Sequence, residues 1–245
     1  LPSSYYTIET ESPVTIPVGS IKGRIQVQLT EQFFNDTLSF APVNEVNYAI
    51  PLLITDIENL DTLLVGVPLV SNPSRANAAD WDIAPKDYTF YGIKFMNKYQ
   101  AIYLRRGVDK MTNVANETVS SIYHAEYVEQ DELTELITTG KNSVKLSNLV
   151  RRGEASSPGD VNIKLVFSED DNCAIRSFGD DAYNVSGSGR FVEGGDSWGG
   201  KERDVIYLDY NYTDVANNET HAVKDTLVVR NRNVVFEEFA IELSE

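Results

Sequence analysis

The sequence predicts an all-β protein of two antiparallel domains: a smaller sandwich over residues 1–92 and a larger sandwich or barrel over residues 93–245. Three observations carry this expectation. Apolar residues recur with period 2 along much of the chain, the pattern of strands that bury one face. The 13 Tyr and 10 Phe exceed what a helical protein of this size usually holds, and aromatic rings favour the pleated surface of a sheet. Strand-like and helix-like segments do not alternate, which argues against a parallel α/β sheet. With 42% apolar residues in a 245-residue chain, there is enough apolar surface to bury a core.

Taken in order, Val14-Thr15-Ile16 lies between Pro13 and Pro17, and Gly19 and Gly23 bracket the next turn. Ile25, Val27 and Leu29 alternate with polar neighbours, as a half-buried strand requires. Tyr48 to Thr55 reads as a strand, and Pro51 assigns it to an edge or a bulge because proline cannot donate to a ladder. Leu63 to Val67 is a short apolar run. Between Val70 and Pro85 the pattern stops, leaving a polar, proline-containing stretch that reads as a long loop, a segment type that often carries function. Tyr88 to Tyr103 then reads as one long aromatic strand or two, with the domain boundary near Gly92.

The second half repeats the β pattern. Val119 to Val128, Leu133 to Ile137 and Val144 to Leu149 are apolar-periodic, and a helix competes with a strand only within Glu129 to Ile137. Ser156-Ser157-Pro158-Gly159-Asp160 reads as a turn. Val161, Ile163, Leu165 and Phe167 form one face, and Ile206, Leu208, Tyr210 and Tyr212 form another. The Gly-rich stretch between them reads as two hairpin arms around Gly194-Gly195-Asp196, with Gly187-Ser188-Gly189 as a further turn. Asn217-Asn218 makes a turn, and strands Ala222–Val229 and Val234–Leu243 close the chain. No repeat of solenoid or propeller length is present.

Charge narrows the partners. With 37 acidic and 21 basic residues the net charge is -16, a field that repels phosphate backbones and anionic membranes, so nucleic acid is not expected. The basic pairs Arg105-Arg106 and Arg151-Arg152, each followed by Gly, read as solvated turns. The single cysteine, Cys173, allows no intrachain disulfide, and no Cys/His set has zinc-ligand spacing. No segment approaches the apolar length of a membrane span. A start at Leu1 without Met, with no signal peptide, reads as a trimmed mature chain.

Catalytic patterns are not found: no GxSxG elbow, no HExxH, no phosphate loop and no dinucleotide fingerprint in context. His124 and His221 read as structural or surface residues. Cys173, beside Asp170 and Asp171, reads as a buried small hydrophobe with a raised thiol pKa. Glu169-Asp170-Asp171-Asn172 and Asp180-Asp181 could offer oxygen ligands to calcium, but neither matches an EF-hand loop, and no metal or cofactor is expected. Aromatics in polar loops are the stronger signal, since sugar C–H faces stack on rings while sugar hydroxyls pair with nearby polar groups. Trp81 between Asp80 and Asp82, and Trp198 near Asp196 and Lys201, are the candidate glycan-binding residues.

Thr15-Ile16-Pro17-Val18-Gly19, Gly23-Arg24-Ile25-Gln26-Val27 and Tyr48-Ala49-Ile50-Pro51-Leu52 resemble an Ig-like N-terminal domain of unknown function found in surface lipoproteins of gut Bacteroidetes. Gly187-Ser188-Gly189-Arg190-Phe191-Val192, Trp198-Gly199-Gly200-Lys201 and Asp225-Thr226-Leu227-Val228-Val229-Arg230 resemble the β domain that follows it. The resemblance implies an Ig-like sandwich at the N-terminus and an outer-membrane lipoprotein of the polysaccharide-utilisation type, anchored through a lipidated Cys upstream of Leu1. It also implies glycan partners, outer-membrane transport partners, and no catalytic residues. Three Asp-Thr-Leu triplets, from Asp36, Asp61 and Asp225, match a short O-glycosylation pattern of that phylum, and strand-end chemistry explains them equally well.

The expected function is therefore non-catalytic binding of glycans at the cell surface. A structural or adhesive module that binds a protein is the alternative, and a glycoside hydrolase using paired carboxylates is the minor one.

Overall fold

The computed structural model describes residues 1–10, 12–42, 44–153, 155–179 and 183–239, with backbone alone for 155–160. The chain divides into two units, Leu1–Phe95 with the segment from Val235, and Met96–Val234. The division falls three residues past the expected boundary, and the C-terminal segment groups with the first unit instead of the second. Glu237 supplies a reason: its carboxylate takes an ion pair from Lys94 at 2.7 Å and the backbone N–H of Asn44 at 3.1 Å.

In the first unit, strands β1 (Tyr6–Ile8), β2 (Val27–Leu29), β3 (Tyr48–Leu53), β4 (Val67–Pro68), β5 (Trp81–Ile83) and β6 (Tyr88–Ile93) pair as β1–β2, β3–β6 and β4–β5. Among the described residues these are three two-stranded ladders, where the resemblance implied an Ig-like sandwich. Pro51 sits in β3, which pairs on one side only among the described residues, so its missing N–H costs no ladder bond. A short helix, α1 (Glu31–Asn35), buries Phe33, whose ring meets Phe34 edge-on at 5.5 Å. The Asp36 carboxylate accepts from the hydroxyls of Tyr48 and Tyr5 and from the Leu38 N–H. The Tyr48 bond first, then the other two, holds its pKa below the usual aspartate range.

The second unit is a closed antiparallel barrel. Its strands are β7 (Ala101–Thr112), β8 (Thr118–Tyr123), β9 (Glu132–Gly140), β10 (Ser143–Arg152), β11 (Ala155–Phe167), β12 (Asn172–Ser177), β13 (Ser186–Trp198), β14 (Lys201–Asp214) and β15 (Glu219–Asn231). Neighbours run in chain order from β9 to β15, and β15 pairs back onto β7, which also pairs with the start of β9. Eight strands close in this way, and β8 pairs with the remaining half of β7. Closure leaves no long unpaired edge, which is how an all-β domain avoids sticking to its own copies. Period 2 then decides the core: Val144, Leu146, Val161, Ile163, Leu165, Ile175, Leu208, Val223 and Leu227 are buried, and the residues between them face out.

Several expectations are corrected. The helix considered within Glu129–Ile137 is one turn of 3-10 helix, Val128–Gln130, followed by strand β9. Only Leu136 of its apolar residues is buried, while Leu133 and Ile137 are exposed, so a helical stripe finds no core and the ladder partners β7 and β10 win. Ser156–Asp160 is strand, not turn. The chain reverses at Gly153, whose φ is +67°, and the register shift opposite Leu149 and Val150 leaves Pro158-Gly159 as a bulge, where a missing donor is tolerated. Gly194-Gly195 is likewise a bulge within β13. The hairpin lies at Gly199-Gly200, both at positive φ, between the paired residues Trp198 and Lys201.

Gly187-Ser188-Gly189 is mid-strand. A Cβ at Gly187 would meet the Asp209 carbonyl at 2.4 Å and Tyr210 Cβ at 2.5 Å, so glycine is there to admit the Asp209–Tyr210 backbone and the root of the Tyr210 side chain. The last expected strand, Val234–Leu243, is not a strand through Phe239, and residues 240–243 lie outside the described residues.

Candidate functional site

The barrel interior is filled by its own side chains. At one level, Tyr99 stacks on Phe167 with ring centroids 3.7 Å apart and meets Phe191 edge-on. Cys173 lies in the same core, and burial pushes its thiol pKa up to about 12. The small-hydrophobe reading holds, but the cause is desolvation, not the neighbouring carboxylates. Asp171 instead binds Lys98 at 2.7 Å and the Tyr99 hydroxyl at 2.7 Å. Glu169 and Asp170 are exposed in the turn before it, and Asp180-Asp181 lie outside the described residues.

At another level the interior is polar. The Arg105 guanidinium donates to Asp225 at 2.7 Å and to the Tyr210 hydroxyl at 3.3 Å, and the Tyr210 hydroxyl also contacts Asp225 at 3.2 Å. Tyr123 completes the carboxylate's partners, and Asn148 reaches the Tyr210 hydroxyl at 3.2 Å. Burial disfavours the Arg105 charge most strongly, but Asp225, Tyr210 and Tyr123 together outweigh it, so the guanidinium pKa is raised. Beyond this group, Asp109 accepts from the Tyr212 hydroxyl at 2.8 Å and meets His221 Nδ1 at 2.8 Å, while the His221 ring stacks on Tyr212 at 4.1 Å. Arg152 pairs with Glu219 and Asp214, both at 2.6 Å.

The basic pairs read as solvated turns are therefore strand residues whose members alternate: Arg105 is 1% exposed and faces inward, and Arg106 faces the other way and binds Asp131. His221 is structural, as expected. Asp225, read as part of a glycosylation-like triplet, is the buried counter-ion of Arg105. These acids and bases pair with one another, although Arg105 Nε, Asn148 Oδ1 and His221 Nε2 make no hydrogen bond among the described residues, and the pairing reads as a structural device.

A groove of about 430 Å³ lies on the outside of the same wall, crossing β13, β14 and β15. Its floor is the backbone of Gly189, Leu208 and Asp225. The register sets Ser188, Asp209 and Lys224 in one row along it, and Arg190, Tyr207 and Thr226 in the other. Tyr207 is 38% exposed, and its hydroxyl is steadied by the Gly195 carbonyl at 3.4 Å. Asp209 pairs with Lys224 at 3.2 Å, both well exposed. An open trough with one accessible ring and hydrogen-bonding groups on both sides suits an extended polar ligand.

The tryptophans expected to bind glycans lie in different units. Trp81 opens β5 and is half-buried, its indole N–H donating to the Ser74 carbonyl at 2.8 Å. The Asp80 carboxylate holds the same loop through Ser74 N–H and Asn77, each at 2.7 Å, while Asp82 is exposed. Trp198 ends β13, donates to the Val229 carbonyl at 3.1 Å and packs on an outer-face patch of Leu104, Val205 and Val228. The Arg203 guanidinium lies 4.3 Å from its ring centroid, so much of the ring is already in contact. Lys201 is exposed across the hairpin from it, and Asp196 is half-buried opposite Arg203. The groove residues Ser188, Arg190, Tyr207, Asp209, Lys224 and Thr226 are not among the binding residues expected from sequence. A sequence signal existed in the polar partners of the Ile206–Tyr212 alternation, but which strands lie side by side is not written in it.

Three comparisons with known proteins bear on this chain. The model of a domain of unknown function, DUF5627, matches residues 98–233, and a model of an N-terminal domain matches residues 1–61. A Bacteroides ovatus protein of unknown function, solved by crystallography, is 39% identical with a TM-score of 0.85, over 96% of this chain and 73% of its own. An auxiliary nutrient binding protein of Bacteroides thetaiotaomicron is 14% identical with a TM-score of 0.43, over 92% of this chain and 67% of its own. No curated protein matches the chain.

Proposed function

We propose that this chain, which belongs to the DUF5627 family, is a non-catalytic glycan-binding protein of the bacterial surface that lays a polysaccharide across the outer wall of its barrel. One observation carries the reading: the groove pairs an exposed Tyr207 ring with hydrogen-bonding side chains on both sides and is open to solvent. A pyranose can set its C–H face on that ring while its hydroxyls reach Ser188, Asp209, Lys224 and Thr226. The surface location, the lipid anchor and outer-membrane transport partners belong to the same proposal and rest on the resemblance to Bacteroidetes surface lipoproteins. Trp81 with Asp80 and Asp82 is a second proposed contact, in the other unit. Trp198 with Asp196 and Lys201 is a weaker one, because its ring is already packed.

The test is affinity electrophoresis of the chain through a panel of plant and host polysaccharides, beside Tyr207→Ala, Trp81→Ala and Trp198→Ala. Retardation by a polymer that Tyr207→Ala abolishes supports the reading, whereas retardation unchanged in Tyr207→Ala removes the groove from it. A protein-binding module is the second reading, favoured by the exposed Val67, Leu69 and Ile83 at the β4–β5 ladder. Failure of every polymer to retard the chain would move the weight to it.

A further inference from the structure

Directly opposed residues can be followed around the outside of the barrel. Lys145 on β10 faces Lys164 on β11, Lys164 faces Arg176 on β12, and Arg176 faces Ser186 on β13. The residues on either side of each cation, among them Val144, Leu146, Ile163, Leu165 and Ile175, are buried inside, so all three cations stand on the outer face. Neighbouring strands are about 4.8 Å apart, so the backbone positions of the three cations follow one another at that interval. Sheets normally avoid like charges in directly opposed positions, because they repel.

Among the described residues none of the three has a carboxylate partner; the outward neighbours Ser147, Asn162, Val166, Ala174 and Ser186 carry no acid, while on the β9 side Lys145 faces Ile137, with Glu135 two residues along. The Lys145 ammonium instead rests 5.4 Å over the Phe178 ring. Other cations differ: Arg75, Lys94, Lys98, Arg106, Arg152 and Lys224 are among those that find carboxylates. Three like charges held in directly opposed positions on successive strands point to a counter-charge supplied from outside.

The row adjoins the groove. Ser186 ends it, and Ser188, the next outward residue on β13, begins one side of the groove, with exposed Arg190 across the floor. The interval between cations is of the order of one pyranose unit along an extended chain. Net charge does not defeat the contact, since at physiological salt charges beyond about 8 Å are largely screened. We infer that row and groove form one track for a linear acidic polysaccharide bearing a carboxylate on each sugar. Lys145, Lys164 and Arg176 match successive carboxylates, and Tyr207 stacks a sugar further along. This rests on the glycan-binding reading and adds the class of polymer.

The experiment is titration calorimetry of the whole chain with polygalacturonate, polymannuronate, fully methyl-esterified polygalacturonate and inorganic polyphosphate. The variants are the triple Lys145→Gln, Lys164→Gln, Arg176→Gln and the single Tyr207→Ala, each shown by its urea midpoint to be folded. A free polyuronate should bind, the triple variant should weaken it at least tenfold, and raising salt from 50 to 200 mM should weaken it by about tenfold. Equal binding of the methyl ester or of polyphosphate, or unchanged binding in the triple variant, overturns the inference. A neutral polymer lost only in Tyr207→Ala would keep the glycan-binding reading and discard the acidic class. A wild-type chain that binds no polysaccharide discards both.

Discussion

The inner and outer faces of the barrel wall handle charge in opposite ways. Inside, Arg105 and Asp225 sit 2.7 Å apart with almost no solvent contact, and Tyr210 and Tyr123 take up further bonding positions on the carboxylate. Outside, on β10, β11 and β12, Lys145, Lys164 and Arg176 stand side by side with no counter-ion among the described residues. Water makes the difference. A buried charge without a partner costs several kcal/mol, so its neighbours are dictated by stability. A solvated charge costs little wherever it stands, so its arrangement is free to serve a ligand. Damage inside should therefore appear as lost stability, and damage outside as lost binding.

The largest effect expected from that contrast is at Arg105. Arg105→Leu leaves Asp225 buried and uncompensated and should lower unfolding free energy by about 3–5 kcal/mol in urea denaturation. The double variant Arg105→Leu, Asp225→Leu should recover most of the loss. A single variant costing under about 1 kcal/mol would break the comparison, since inner charges would then behave like outer ones.

Next comes Gly187, an inward position that looks innocuous in sequence. A Cβ there lands 2.5 Å from Tyr210 Cβ and 2.4 Å from the Asp209 carbonyl, and Gly187→Ala should cost about 1–3 kcal/mol through overpacking. Ser188→Ala, one residue along and facing out, should stay within about 0.5 kcal/mol. Equal midpoints for the two would mean that the wall yields on both faces alike.

Cys173 sharpens the contrast without a substitution. Its thiol pKa of about 12 and its burial predict negligible alkylation by iodoacetamide at pH 8 in the folded chain, with prompt labelling once urea unfolds it. Rapid labelling of the native protein would show the interior to be open to solvent. The smallest stability effect is at Lys164: Lys164→Gln should leave the urea midpoint unchanged or slightly raised, since it removes a like-charge neighbour. A marked loss of stability there would mean the row has a structural role.

Much of the barrel was legible because period 2 is a local signal. Val161, Ile163, Leu165 and Phe167 share a face whatever strand lies beside them, and all four are buried. The same rule explains the misread basic pairs. Arg105 and Arg106 are consecutive, so they point to opposite faces, but charge suggested solvent for both. The acid that makes an inward Arg105 tolerable is 120 residues away. Turns were misplaced where glycine had two meanings. Gly199-Gly200 supplies the positive φ that a hairpin needs, whereas Gly187 supplies space for Tyr210. Counting glycines cannot separate the two.

From the sequence alone came the fold class, the interior apolar faces, the inert character of Cys173 and the candidate status of Trp81 and Trp198. All of these follow from interactions between residues near in the chain, or from the burial that a residue's own chemistry demands. The closure of β15 onto β7, the Arg105–Asp225 pair, the groove around Tyr207 and the row of Lys145, Lys164 and Arg176 came only from the tertiary structure. Each depends on strand register, and register is set by how distant segments pack together, which no local pattern of residues records.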